Sequence, residues 1–224
     1  MILHIPHPSS TIPAEIRKTI KLSDQDLKKE LLLLTDSFTN DLFNNENQDI
    51  VSIIYPVSRL VVDPERFTDD GNEPMSEKGM GVIYEKTSDG KRLRNTPSQT
   101  ERDRLLQEYY HPHHKKLTAA VKKTLERKGY SLIIDCHSFS SIPLPHEHDQ
   151  SPDRPDICIG TDDYHTPAWL SDTVNDIFVR AGFSVQINRP FSGSIVPMKY
   201  YRSNTKVLSV MIELNKKLYM VLLS

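Results

Sequence analysis

The sequence predicts an α/β domain with a central sheet covered on both faces. Two observations carry that reading. Short β-branched apolar runs alternate along the chain with segments whose apolar residues recur every three to four positions. Several of those runs also stop at histidine, aspartate or glutamate, as strands do when their ends carry chemistry. The 224 residues are read as one domain, 1–224, with no internal repeat and no low-complexity linker.

The first run is "ILHIPHPSS". Ile2, Leu3 and Ile5 form a buried strand that Pro6 ends, because proline has no N–H for the ladder. His7 then stands at the mouth of the strand between Pro6 and Pro8. Ser23 can cap a helix with apolar positions Leu27, Leu31, Leu34, Phe38, Leu42 and Phe43, and Asp36 interrupts it on or near the apolar stripe. "IVSIIYPV" (50–57) reads as a strand stopped at Pro56. Residues 58–97 are rich in Gly, Pro, Asp and Glu, with a short strand expected only at "GVIYEK". So long an irregular stretch in a compact domain is often functional.

Ser98 and Glu101 have capping-box spacing for a second helix, expected to kink at Pro112 and to end at Gly129. "YSLIIDCHSFS" and "PDICIGT" are strands. Thr166 and Pro167 open a third helix that Gly182 closes, and "FSVQIN" and "KVLSVMIEL" complete the sheet.

Composition narrows the function. A net charge of −2 argues against a nucleic-acid binder. No run approaches the roughly 20 apolar residues of a membrane span. The first residues lack the basic-then-apolar order of a signal peptide, and Cys136 and Cys158 read as buried free thiols, so a cytoplasmic setting is expected. The chain has nine histidines and fifteen prolines, and several of them occur together in "HIPHP", "YYHPHHKK" and "PLPHEH". His146 and His148 of the last cluster read as a surface loop.

Three strands end in groups suited to metal or acid–base chemistry: His7, then Asp135 with His137, then Glu213. Asp135 and His137 are two apart and share a face of an extended chain. A catalytic zinc takes three protein ligands and keeps a position open, which His7, His137 and Asp36 would satisfy. Asp135 would then orient a ligand imidazole. Glu213 follows an apolar run and needs a cationic partner or metal-bound water, the plainer alternative being an ion pair with Arg59 or Arg66.

The stretches "IPHPSSTIP", "TDSFTNDLF", "VSRLVVDPERF", "YYHPHHKKL", "IIDCHSFS", "RPDICIGT", "NRPFSGSIVP" and "IELNKKLYM" follow one another as in the N-formylglutamate amidohydrolase family, which the chain resembles over nearly its whole length. The resemblance implies a three-layer αβα hydrolase-like fold, zinc-exopeptidase-like, with a central mixed sheet. It also implies metal-dependent hydrolysis of an N-formyl or N-acyl amino acid. On this resemblance His7, Asp36 and His137 hold one Zn2+ and Glu213 is the general base; the mechanism also needs an arginine for the oxyanion, with Arg59 a candidate. Arg66, and Arg189 beside Asn188, are the further candidates for gripping the substrate carboxylate, and of His113 and His114, one of which can face the cleft after Pro112, the family pattern favours His114. Two departures stand out. Pro8-Ser9-Ser10 follows the first histidine in place of Ser-Gly or Ala-Ser, and "VLLS" stands where the family pattern continues into a terminal helix, which predicts a less covered sheet.

Rival classes fare worse. A serine hydrolase would want a G-x-S-x-G elbow. A metallophosphoesterase shares D-x-H but wants further Asp, Asn and His ligands in glycine-flanked loops. A metallopeptidase or a non-catalytic metal- or carboxylate-binding relative on the same scaffold remains the alternative to the amidohydrolase.

Overall fold

A computed structural model describes residues 1–44 and 47–220, so the terminal "VLLS" lies outside the described residues. Six strands form one mixed sheet: β1 (Ile2–Ile5), β2 (Val51–Ile54), β3 (Ser131–Phe139), β4 (Ile157–Gly160), β5 (Val185–Ile187) and β6 (Val207–Asn215). Their spatial order is β2-β1-β3-β6-β4-β5. The β2, β1, β3 and β6 neighbours are all parallel, while β4 runs antiparallel to β6 and carries β5 parallel to itself. Among the described residues no helix is long and apolar enough to cross a membrane.

The helices are α1 (Ala14–Arg17), α2 (Asp24–Leu34), α3 (Thr39–Leu42), α4 (Gln99–Leu105), α5 (His111–Lys128) and α6 (Ala168–Arg180). One face of the sheet buries Leu3, Ile5, Ile134, Cys136, Val210 and Ile212 with Leu170 and Val174 of α6. The other packs Ile2, Ile133 and Val207 against Leu117 and Val121 of α5. Period-2 alternation sends odd and even strand residues to opposite layers, so helices cover both faces. Both cysteines are free and buried.

Most predicted strands and caps are present, and the differences have local causes. Ser23 caps α2 and Ser98 caps α4 as expected, each accepting the N–H three residues on. The first predicted helix is two pieces: α2 stops at Thr35, which is extended, and α3 begins after Phe38 at φ 67°. A left-handed phenylalanine costs roughly 1–2 kcal/mol, and it lies two residues from Asp36. Thr166 does not cap α6. Its hydroxyl donates to Ser209 O and accepts Asp162 N–H, leaving Pro167 at the N-cap with no side-chain bond. Pro112 is accommodated by a π turn, Leu106–Tyr110, inserted between α4 and α5, so the missing N–H falls at the start of the second helix.

"GVIYEK" is not a strand; only an isolated bridge joins Lys86 to Arg92. Its apolar residues serve packing instead. Leu60, Val61, Val62, Met80, Val82, Tyr84 and Leu93 are almost fully buried, so the irregular segment carries its own core.

Gly160 shows how tightly the loops close over the sheet. A Cβ there would run into Met211 Cε and the Gly193 carbonyl. Gly160→Ala is expected to cost about 1–3 kcal/mol by overpacking, read as a lowered urea midpoint with an unchanged slope. A variant as stable as wild type would mean that the 193 loop is free to retreat.

Candidate active site

The parity that buries Ile2 and Ile133 toward α5 also turns His4, Asp135, His137 and Glu213 to that same face. His4 lies beside Asp135, and His137 beside Glu213, in the β1–β3 and β3–β6 registers. Each strand thus passes from apolar to ionisable toward the C-terminal end of the parallel group, where ligands bind in α/β sheets. His7 arrives from beyond β1, and Asp36 from the break between α2 and α3. The Asp36 N–H donates to His7 O at 2.8 Å, and this bond draws the chain out of the helix toward the strand end.

Asp36 Oδ2 sits 3.0 Å from His137 Nδ1 and 3.7 Å from His7 Nδ1. On the other side of the His137 ring, Nε2 faces Glu65 at 3.0 Å and Asp135 at 3.2 Å. His7 Nε2 bonds Asp63 Oδ1 at 2.9 Å. These side chains are buried except Glu65, which is 15% exposed. A His7–Glu65–His137 trio and a His4–Glu65–Asp135 trio each bring their ligand atoms within 4.8 Å of one another. His7 Nδ1 and Glu213 Oε2 are buried without hydrogen-bond partners, and His137 Nε2 is not aligned for a hydrogen bond with either of its two carboxylate neighbours. Imidazole nitrogens and carboxylate oxygens converging in one pocket, some without hydrogen-bond partners, are the donor set of a hard or borderline divalent cation.

The electrostatics point the same way. Four carboxylates, Asp36, Glu65, Asp135 and Glu213, crowd two imidazoles. Glu213 is pushed up to about 8 by burial; His137 opposes the shift, and Asp36, Glu65 and Asp135 add to it. Burial would also raise Asp36 and Asp135, but the neighbouring histidines outweigh it and hold both well below the carboxylate range. Burial works against charge on His137, and Glu65 and Asp135 more than reverse it.

Asp63 organises the near wall. It accepts from His7, from Arg59 Nε and Nη2 at 3.1 and 2.7 Å, from the Tyr84 hydroxyl at 2.5 Å and from Glu65 N–H at 3.0 Å. Arg66 Nε is 3.8 Å from both Asp63 and Glu73, with no hydrogen bond of its own. Glu213 is therefore not the ion-pair partner of Arg59, which Asp63 occupies. Lys216, just past β6, donates to Leu33 O and Thr35 O at 3.1 and 2.7 Å. It ties down the last carbonyls of α2 immediately before Asp36.

A cavity of about 200 Å3 opens on this cluster, lined among others by His7, Asp36, Arg66, His137, His146 and Glu213. Arg59 lines it too, whereas Asn188, Arg189 and His114 do not. Asn188 pairs with Thr161 at 2.9 and 2.7 Å, and Arg189 with Asp149 at 2.9 Å. His114 bonds Pro64 O at 2.7 Å and stacks on Tyr110. The inward histidine of that pair is His113, whose Nε2 meets His4 Nε2 at 2.8 Å while His4 Nδ1 bonds Asp135 at 2.8 Å. Burial drives His113 down to about 2, so it is neutral in this chain of bonds. The surface reading of His146 also fails: it faces the cavity, and burial lowers it to about 4. His148 is exposed.

Sequence reading overlooked His4, Asp63, Glu65 and Lys216. The signal was present for two of them: His4 is an ionisable residue inside an apolar strand, and Asp63 follows "LVV" as Glu213 follows "VMI".

Fold and site together define an α/β protein whose parallel strand ends converge on a histidine–carboxylate centre. The chain belongs to the N-formylglutamate amidohydrolase family, which it matches over residues 1–220. It is 29% identical over 169 residues to an N-formylglutamate deformylase of Pseudomonas putida, a match covering 73% of this chain and 61% of that protein. The chain thus spans about three-fifths of that relative's length. Its fold is similar to the N-formylglutamate amidohydrolase of Ralstonia eutropha JMP134, with TM-score 0.83 and 21% identity over 98% of this chain and 83% of that one. It is also similar to a gene product of Agrobacterium tumefaciens, with TM-score 0.67 and 19% identity over 97% and 81% of the two chains.

Asp63→Asn is expected to lower stability by about 3–5 kcal/mol at pH 7, leaving Arg59 buried against a neutral amide. Burial raises the Asp63 carboxyl, but Arg59, His7 and Arg66 outweigh it and hold it well below its usual value. A depressed folded pKa gives stability that is complete above the unfolded value near 4 and is lost as pH falls further. The gap between wild type and variant in urea titrations should therefore be constant from about pH 7 to 5 and close below about pH 4. A gap that stays flat into strong acid would mean that the aspartate's charge is not what holds this wall.

Proposed function

We propose that the protein is a zinc-dependent amidohydrolase that cleaves the amide of an N-formyl or N-acyl amino acid, N-formylglutamate first among them, to release formate or the corresponding acid. The observation that carries this reading is Glu213, a buried carboxylate that lines the cavity, lies beside His137 and has one oxygen without a hydrogen-bond partner. A site built only to bind has no use for such a base. Family membership and the name of the Pseudomonas putida relative support the reaction class. The size of the cavity, about 200 Å3, supports a substrate of amino-acid scale, since drug-sized ligands occupy about 300–1,000 Å3.

His7, His137 and Asp36 would hold the ion. Asp36 is the more buried and lies 3.0 Å from His137 and 3.7 Å from His7, whereas Glu65 is the carboxylate that groups with both imidazoles within 4.8 Å, so metal content in variants of the two carboxylates decides between them. Bound there, zinc would act as a Lewis acid toward the substrate carbonyl and lower the pKa of water. Asp63 donates no proton; it fixes His7 through Nε2 and leaves Nδ1 free. Asp135 and His4 likewise orient His137.

Glu213 takes a proton from the attacking water and returns it to the leaving nitrogen. Burial holds this carboxyl near 8 in the bare site, and a resident cation would draw it down and favour the carboxylate that a base requires. Arg59 keeps its charge at the cavity wall for the oxyanion, although two of its donors serve Asp63. Arg66, with its unpartnered Nε, is the better group for the substrate carboxylate, which a guanidinium grips in paired bonds.

Glu213→Gln is expected to lower formate release from N-formylglutamate by about 10²–10⁴-fold while zinc content, read by mass spectrometry, stays at one per chain. Full activity would remove Glu213 from the base role. His7→Ala, His137→Ala and Asp36→Ala should each lose the metal while Glu65→Ala retains it, and the converse result for the two carboxylates would move the third ligand to Glu65. Zinc bound without turnover of formyl, acetyl or short peptide substrates would favour the binding relative.

A further inference from the structure

A second cavity, of about 340 Å3, shares no lining residue with the first. It lies between α1, the 94–97 segment and α4. Its apolar floor is Ile16, Pro97 and Leu105, and its charged lining is Lys18, Lys21 and Arg94 together with one carboxylate, Glu101, which Arg104 holds. The two lysines are exposed at the rim. Arg94 is only 4% exposed.

Arg94 is placed as a binding group is placed. Nη2 donates to Leu60 O, which fixes the guanidinium, while Nε is buried with no hydrogen-bond partner. The two carboxylates that act on it are Glu101 and Glu85, and both are engaged elsewhere. Glu101 is gripped by Arg104 through two bonds of 3.0 and 2.9 Å, and Glu85 accepts the Thr96 hydroxyl. Burial pushes Arg94 down to about 10, a displacement that a facing anion would relieve. A guanidinium this buried with no direct ion pair carries a desolvation cost that a ligand's carboxylate would offset.

We infer that this cavity is a second ligand site, for a small organic carboxylate whose hydrocarbon body rests on Ile16, Pro97 and Leu105 and whose charge meets Arg94, Lys18 and Lys21. Both halves of the lining are needed for that class. A bare inorganic anion would leave the apolar floor wet, and a neutral molecule would leave the cations unmatched.

The site-resolved test is an amide NMR titration of the full chain with hexanoate, with inorganic phosphate and hexanamide as comparators. Hexanoate should give saturable shifts at Thr19, Lys21, Asn95 and Thr96, with the comparators weaker by about tenfold or more. The exposed double variant Lys18→Ser/Lys21→Ser should lose about tenfold in hexanoate affinity, and Arg94→Met, if folded, should abolish the shifts. Shifts confined to the neighbourhood of His137 and Glu213, non-saturating shifts, or an affinity unchanged in the lysine variant would overturn the site. An equal response to phosphate or hexanamide would overturn the ligand class.

Discussion

The register between β3 and β6 is the constraint on which the rest of the site depends. Because strand side chains alternate with period two, a one-residue slip would exchange every inward and outward group. In the observed register His137 lies opposite Glu213, and Cys136 lies opposite Ile212 on the other face. A slip of β6 would send Glu213 into the apolar layer of α6 and bring Ile212 into the cavity, leaving His137 without its neighbour. The apolar demands of the two helix layers therefore hold the chemical pair together. No bond between His137 and Glu213 is needed to do so.

The second requirement is charge balance in a dry space. A buried carboxylate is tolerated when it is paired or hydrogen-bonded. Asp63 is fully satisfied by Arg59, Tyr84, His7 and a backbone N–H, and so acts as a rigid anchor. Glu213 is the opposite case, with one oxygen left over. The contrast between these two carboxylates separates scaffold from chemistry more clearly than burial does, since both are buried. The same reasoning marks Arg94 in the second cavity, a charge whose available counterparts are bound to other residues.

Legibility in the sequence followed the range of the interaction. Strand ends at His7, His137 and Glu213 could be read because alternation and a breaking proline are local signals, and the caps at Ser23 and Ser98 are local too. Asp36 was placed near the site but on a continuous helix, because the forces that break it are distant: the His7 carbonyl and the Lys216 ammonium, which lies 181 residues from Thr35. Asn188 and Arg189 were read as substrate ligands from the order of motifs. Their partners Thr161 and Asp149 come from other loops, and nothing local in "NRP" announces them.

His113 and His114 make the last step concrete. They are adjacent on a helix, about 100° apart around its axis, so only one can face the sheet. Which one does so depends on the π turn ahead of Pro112, since one extra residue in that turn rotates everything after it. A π turn has no dependable sequence signature, and the motif alone points to His114. With the turn in place, His113 reaches His4 and so stands behind Asp135, while His114 props Pro64 and thus the segment carrying Asp63 and Glu65. Both histidines then serve the centre from behind it, through the groups that orient His7 and His137, and neither needs to touch the substrate.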